Sequence, residues 1–259
     1  MKINLEGKHA VVCGSTQGIG KASAIQLANI GATITLIARD EEKLIETCNE
    51  LNTHFGQKHN YIVADFSKPV ELIKTLEFVN LPVLILVNNT GGPNGGPIMN
   101  AKIEDFESAF TNHLKCNHLL VQKFAPGMIV AHYGRIINII STSVKAPLPN
   151  LGVSNTIRGA VASWGKTLAS ELGIYGITVN NVLPGATLTQ RLKNIIDTKA
   201  GGDPNLASEI EESMIREIPA RRFAEPIEIA NAVAFLASPA ASYINGINLP
   251  VDGGRLMSL

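Results

Sequence analysis

Seven short runs rich in Val, Ile, Leu and Thr, at residues 9–13, 33–38, 60–64, 83–88, 135–140, 178–183 and 248–251, alternate with longer stretches of helical period. This alternation limits the possible folds more than any other feature of the chain. Strands joined by helical crossovers run parallel, because the helix returns the chain to the edge it left. The runs are almost continuously apolar, as strands covered on both faces must be. Right-handed crossovers then wind the sheet outward in both directions. The helical stretches include 18–30, 40–55 and 106–128, where Phe106, Phe110, Leu114, Val121, Phe124 and Met128 recur at helical spacing. One α/β domain over residues 1–259 is expected, a doubly wound sheet of seven mainly parallel strands. Residues 186–223 depart from the rhythm: they are charged, contain Gly201, Gly202 and Pro204, and suit a mobile substrate lid.

Composition removes several classes of function. Lys plus Arg is 22 and Asp plus Glu is 22, a net charge of zero, so no basic stripe exists for a nucleic-acid backbone. No apolar stretch approaches the roughly 20 residues of a membrane span, and residues 1–8 lack the apolar core of a signal peptide. A soluble, cytoplasmic protein is expected. Cys13, Cys48 and Cys116 have neither disulfide-framework nor metal-site spacing and read as small buried hydrophobes, with no metal implied.

The first strand runs into Gly14, Ser15, Thr16, Gln17, Gly18, Ile19 and Gly20, and then into a helix. Glycines at a strand-to-helix turn let the backbone approach a pyrophosphate, whose charge meets the free N–H groups and positive dipole of the helix. At the end of strand two an acidic residue would accept from a ribose 2′-OH, but Ala38 stands there and Arg39 follows. A guanidinium fork suits a 2′-phosphate, which favours NADP(H) over NAD(H). The other reading of Arg39 is a solvated cap beside Asp40.

Four ordered motifs then carry a resemblance: the glycine turn, Asn88-Asn89-Thr90-Gly91 after strand four, Pro184-Gly185 after strand six, and Val251-Asp252-Gly253-Gly254 near the end. In order and spacing the chain resembles the short-chain dehydrogenase/reductases over essentially its whole length. Arg222-Phe223-Ala224-Glu225-Pro226 with Glu228-Ile229-Ala230 is similar to the β-ketoacyl-carrier-protein reductase branch. The resemblance implies a Rossmann-like fold and dinucleotide contacts from Asp65 at the adenine, from Asn89 and Gly91 along the cleft, and from Pro184, Gly185, Thr187 and Thr189 towards the nicotinamide. Cys13 stands where such enzymes usually have Thr, and Thr90 where they have Ala.

The same resemblance locates the catalytic positions. The family has a Ser closing strand five and, thirteen residues on, a YxxxK sequence in which Lys lowers the pKa of the Tyr phenol. Ser141 matches the Ser. The Tyr position holds Ser154 and the Lys position Arg158, and Pro184 at its usual distance rules out a slip. The family Asn falls on His113. An aliphatic hydroxyl is a weaker acid and shorter than a phenol, whereas Arg158 stays charged and can serve as a fixed cation. His113, with an ordinary pKa of about 6.5, is the candidate proton donor. Structural readings stand beside these: Ser154 as a helix N-cap, Arg158 as an ion-pair partner, His113 as a packed core residue.

Two functions follow. One is an NADP(H)-dependent, 3-oxoacyl-reductase-like oxidoreductase with an altered site, acting on a small carbonyl or alcohol. The other is a catalytically inactive NADP(H)-binding sensor or structural subunit. Apolar residues in excess of what one sheet face needs, on the helices at 106–128 and 152–173, suggest a homotetramer or homodimer, with neither nucleic acid nor membrane as partner.

Overall fold

The computed structural model describes residues 3–79 and 82–258. Met1 and Lys2, part of the opening stretch considered for a targeting signal, lie outside the described residues. Seven strands, β1 (His9–Cys13), β2 (Thr33–Ala38), β3 (Asn60–Val63), β4 (Val83–Asn88), β5 (Gly134–Ile139), β6 (Ile177–Pro184) and β7 (Asn248–Val251), make one sheet in the order β3-β2-β1-β4-β5-β6-β7. Every neighbouring pair is parallel. The helices are α1 (Gly18–Asn29), α2 (Glu41–Glu50), α3 (Pro69–Leu76), α4 (Ile103–Phe110), α5 (Cys116–Val130), α6 (Gly152–Leu172), α7 (Gln190–Ala200), α8 (Pro204–Arg216) and α9 (Pro226–Ala237).

Alternate strand residues feed two cores. Val12, Leu36, Val87 and Ile137 pack with Leu27 of α1 and Val233 of α9, while Val11, Ile37, Leu86 and Ile136 pack with Leu120, Phe124 and Met128 of α5. Burial on both faces is why the strands lack polar alternation. Chain order reverses between β1 and β4, which opens a crevice at their C-terminal ends where such sheets bind ligands.

A row of asparagines crosses the second face near that crevice. Asn88 Nδ2 donates to Asn138 Oδ1 at 2.9 Å, Asn138 to Asn181 at 2.8 Å, and Asn181 to Asn248 at 2.8 Å. Their Cα atoms are register partners on β4 through β7. Gly165 of α6 lies over the row, and a Cβ there would stand 3.1 Å from the amides of both Asn138 and Asn181. Asn88 Oδ1, at the β1 end, is buried without a partner.

Three expectations change. The helix expected over 40–55 stops at Glu50 because Leu51 is extended, with ψ 138°. The helix expected over 106–128 begins at Ile103 and is interrupted by one π-helical turn, Thr111–Lys115. That turn shifts the helical phase, so Phe110, expected on the buried face, is 47% exposed. Residues 186–223, set apart in the sequence by their charge and glycines with no helix assigned to them, hold α7 and α8, packed on Leu192, Ile196, Ile218 and Phe223. Of the cysteines, Cys13 and Cys116 are buried and Cys48 is half-buried; all three are free.

Candidate active site

The turn from β1 to α1 is shaped by backbone crowding. Gly14 and Gly18 have φ of +58° and +54°, the left-handed region that glycine adopts without strain. A Cβ on Gly14 would stand 2.6 Å from Asn89 O, and one on Gly20 would overlap Gly14 O. No side chain caps α1, and its first turn holds no acidic residue. Its leading N–H groups are therefore open to an anion, and the site fits a dinucleotide pyrophosphate. Ser15 is fully buried with its hydroxyl turned to Ile37 O at 3.4 Å, and Ile19 packs against the core. Thr16 is half-buried and Gln17 exposed.

Arg39 is exposed just after β2. Asp40 does not hold it: the Asp40 carboxylate caps α2 through Lys43 N at 3.1 Å and pairs with Lys43 Nζ at 3.0 Å. Arg39 makes no ion pair among the described residues, which leaves its fork available to a phosphate. Burial alone would raise the Asp65 pKa, but hydrogen bonds from Ser67 and the charges of Arg39 and Lys68 bring it below the usual carboxylate value. Asn89 Nδ2 donates to Cys13 O and Gly14 O, each at 3.2 Å, so it braces the glycine turn. Gly91 is exposed, with no neighbour that a Cβ would meet.

At the end of β6, Pro184 is half-buried, and Gly185 N donates to Val251 O at 2.9 Å. Thr187 is buried, its hydroxyl on Gly185 O at 3.1 Å. Thr189 caps α7 through Leu192 N at 3.3 Å, and its methyl would stand 3.1 Å from a Cβ on Gly18. The start of α7 thus closes over the glycine turn. Farther along, Arg222 grips Glu228 with two 2.6 Å bonds and fastens the chain at the foot of α9.

Of the residues expected to carry chemistry, His113 and Arg158 meet at Thr90, just after β4, and Arg158 also holds Ile139 O at the end of β5, two residues before Ser141. Ser141, half-buried after β5, accepts from Ser143 N at 3.1 Å, which leaves its O–H hydrogen free to donate. Ser154 is a buried residue inside α6, and the N-cap of that helix is Leu151; the capping reading is therefore corrected. One turn later on the same helical face, Arg158 is 8% exposed. It forms no ion pair among the described residues, so the ion-pair reading also fails. Its Nη1 donates to Ile139 O at 2.8 Å and its Nη2 to Thr90 O at 3.4 Å. Burial and the charge of Arg191 pull Arg158 down to about 10, still charged near neutrality.

His113 lies in the π-helical turn, 2% exposed, with Nδ1 hydrogen-bonded to the Thr90 hydroxyl. Burial first, then the charges of Arg158 and Arg191, push its pKa to about 2. The imidazolium that an unperturbed histidine offers near pH 6.5 is thus not formed, and the proton-donor expectation is corrected to a neutral imidazole.

Two participants escaped the sequence reading. Thr90, noted as a motif position and a departure from Ala but given no role, joins His113 to Arg158 through its hydroxyl and its carbonyl. Arg191 of α7 reaches across to Gly92 O at 2.8 Å and Pro93 O at 3.1 Å; no motif marks it. A cleft of about 870 Å3 opens between α7 and α8, with Thr189, Ile196 and Phe223 among its walls. None of Ser141, Ser154, Arg158 and His113 lines it.

A family model described as enoyl-(acyl carrier protein) reductase matches residues 14–255. The chain is 36% identical to the 3-oxoacyl-[acyl-carrier-protein] reductase FabG of Rickettsia bellii, over 98% of this chain and 99% of that one. It is 33% identical to the 7alpha-hydroxysteroid dehydrogenase of Escherichia coli, over 99% and 97%. The solved L-sorbose reductase of Gluconobacter frateurii, complexed with NADPH and L-sorbose, superposes with a TM-score of 0.92 at 31% identity, covering 100% of both chains. A 7 alpha-hydroxysteroid dehydrogenase complexed with NADH and a 7-oxo bile acid superposes at 0.89 and 32% identity, over 100% and 98%. The parallel sheet, the glycine turn at its switch point and these matches agree: the chain belongs to the short-chain dehydrogenase/reductase family of oxidoreductases.

Proposed function

We propose that this protein is an NADP(H)-dependent reductase of a small carbonyl compound, related to the 3-oxoacyl reductases, whose site works without a phenol. The observation that carries the reading is Arg158, a buried cation held on Ile139 O and Thr90 O two residues from where Ser141 leaves β5. The nicotinamide cofactor, when bound, supplies a hydride. The Ser141 hydroxyl donates to the substrate carbonyl oxygen and polarises it. As the π pair moves to that oxygen, the fixed charge of Arg158 stabilises the developing alkoxide in a site of low dielectric. Water supplies the proton, and neutral His113 keeps Thr90 oriented so that its carbonyl holds Arg158. In support, the R. bellii relative carries the name 3-oxoacyl-[acyl-carrier-protein] reductase, and the L-sorbose reductase was crystallised with NADPH.

NADP(H) is preferred because Arg39 is exposed and forms no ion pair among the described residues, Asp40 being held by Lys43, so its fork can take a 2′-phosphate. By calorimetry NADPH should bind at least tenfold tighter than NADH, and Arg39→Asp should reverse that order; equal affinities in the wild type would defeat the preference. The second reading, a binder without turnover, draws on the same site, because neutral His113 and buried Ser154 supply no ready acid. Residues 186–223 serve as the lid, since Thr189 at the start of α7 stands close enough to Gly18 that a Cβ there would lie 3.1 Å from its methyl. We also place a homotetramer in this reading: Ile103 and Phe110 share a face of α4 and are 68% and 47% exposed.

A further inference from the structure

We infer that the substrate carries an anionic group, a carboxylate beside the reacting carbonyl, received by Arg191 with Arg158 behind it. The inference rests on the reductase reading above and adds the substrate class. Both guanidiniums converge on one short segment: Arg158 on Thr90 O, Arg191 on Gly92 O and Pro93 O. Among the described residues neither has a carboxylate partner, and the charged group that acts on buried Arg158 is Arg191 itself, a like charge. His113, within the field of both, is neutral and cancels nothing. Two cations gathered at a crevice without a counter-ion hold a positive field that a neutral substrate leaves unanswered.

Geometry separates their parts. Arg158 is inside the protein, on the carbonyl of Ile139 two residues before Ser141, on the side we assign to the reacting carbonyl. Arg191 stands on α7, is exposed, and has spent two of its five N–H donors on carbonyls. The others form a fork that matches a carboxylate in a planar, two-point contact.

The test compares acetoacetate with acetoacetamide, its neutral isostere, by calorimetry on protein saturated with NADP+. Acetoacetate should bind at least tenfold tighter, and the difference should shrink between 50 and 500 mM salt on the order of the shortening Debye length. Arg191→Gln should remove the difference while NADP+ affinity and the unfolding midpoint hold. Equal binding of the two probes, or no measurable binding of either, would overturn the inference. So would a tenfold loss of NADP+ affinity in Arg191→Gln with the discrimination intact, since the charge would then serve the cofactor. Reduction of acetoacetamide as readily as acetoacetate would sink the carboxylate alone and leave the reductase reading standing.

Discussion

At the scale of single residues, the environment of His113 overrides its intrinsic chemistry. A free imidazole shares its proton near pH 6.5, whereas this one is enclosed in a π-helical turn, bonded to Thr90 and faced by two guanidiniums. Its folded-state pKa of about 2 lies below the unfolded value of about 6.5. Above pH 6.5 neither state is protonated and the residue adds no pH dependence. As pH falls below 6.5 the unfolded chain gains a proton that the folded chain refuses, so stability drops by about 1.4 kcal/mol per pH unit from this residue. Urea unfolding at pH 6.5 and pH 5 should show an acid loss about 2 kcal/mol smaller in His113→Asn than in the wild type. The same acid sensitivity in both proteins would show that His113 titrates normally.

At the scale of elements, the asparagine row ties β4, β5, β6 and β7 together beneath the loops that carry Thr90 and Ser141. Asn88 points its amide nitrogen at β5, so its unpartnered oxygen faces β1. The β1–β4 register, Val12 on Val87, extended by one residue sets Cys13 opposite Asn88. A hydroxyl there would give the buried acceptor a donor that a thiol supplies only weakly. Cys13→Thr should therefore raise stability by about 1 kcal/mol, seen as a higher thermal midpoint, whereas Cys13→Val, of similar shape but without a donor, should not. Equal midpoints for the two variants would remove the orphan-acceptor explanation. The strands were legible in sequence because burial on both faces writes continuous Val, Ile and Leu, and the glycine turn because its backbone crowding admits no Cβ. The π-helical turn was not, since one extra residue shifts helical phase without changing composition. The helices α7 and α8 were hidden by charge and by Gly201 and Gly202, which cap α7 and join it to α8. The contacts of Arg191 and Thr90 join segments about a hundred residues apart in one case and 23 or 68 in the others, distances that no local pattern encodes.

At the scale of the whole molecule, the fold delivers the ends of β1, β4, β5 and β6 to one crevice, with the dinucleotide cradle on one side and the Ser141–Arg158 cluster on the other. The exposed face of α4 fits burial against a second copy, because Ile103 and Phe110, seven residues apart, project to the same side. Light scattering at micromolar concentration should report four chain masses, and a monomer would exclude any assembly through this face. The central claim is that this crevice moves a hydride without a tyrosine. The most direct measurement supplies NADPH deuterated on both positions of nicotinamide C4 together with acetoacetate, and follows the label by mass spectrometry. The account predicts that the alcohol product gains one deuterium on its carbinol carbon, and that Ser141→Ala and Arg158→Met each abolish the transfer while NADPH still binds. Saturable NADPH binding with no label in acetoacetate or any ketone of a broad panel would contradict it and leave a protein that only binds the cofactor.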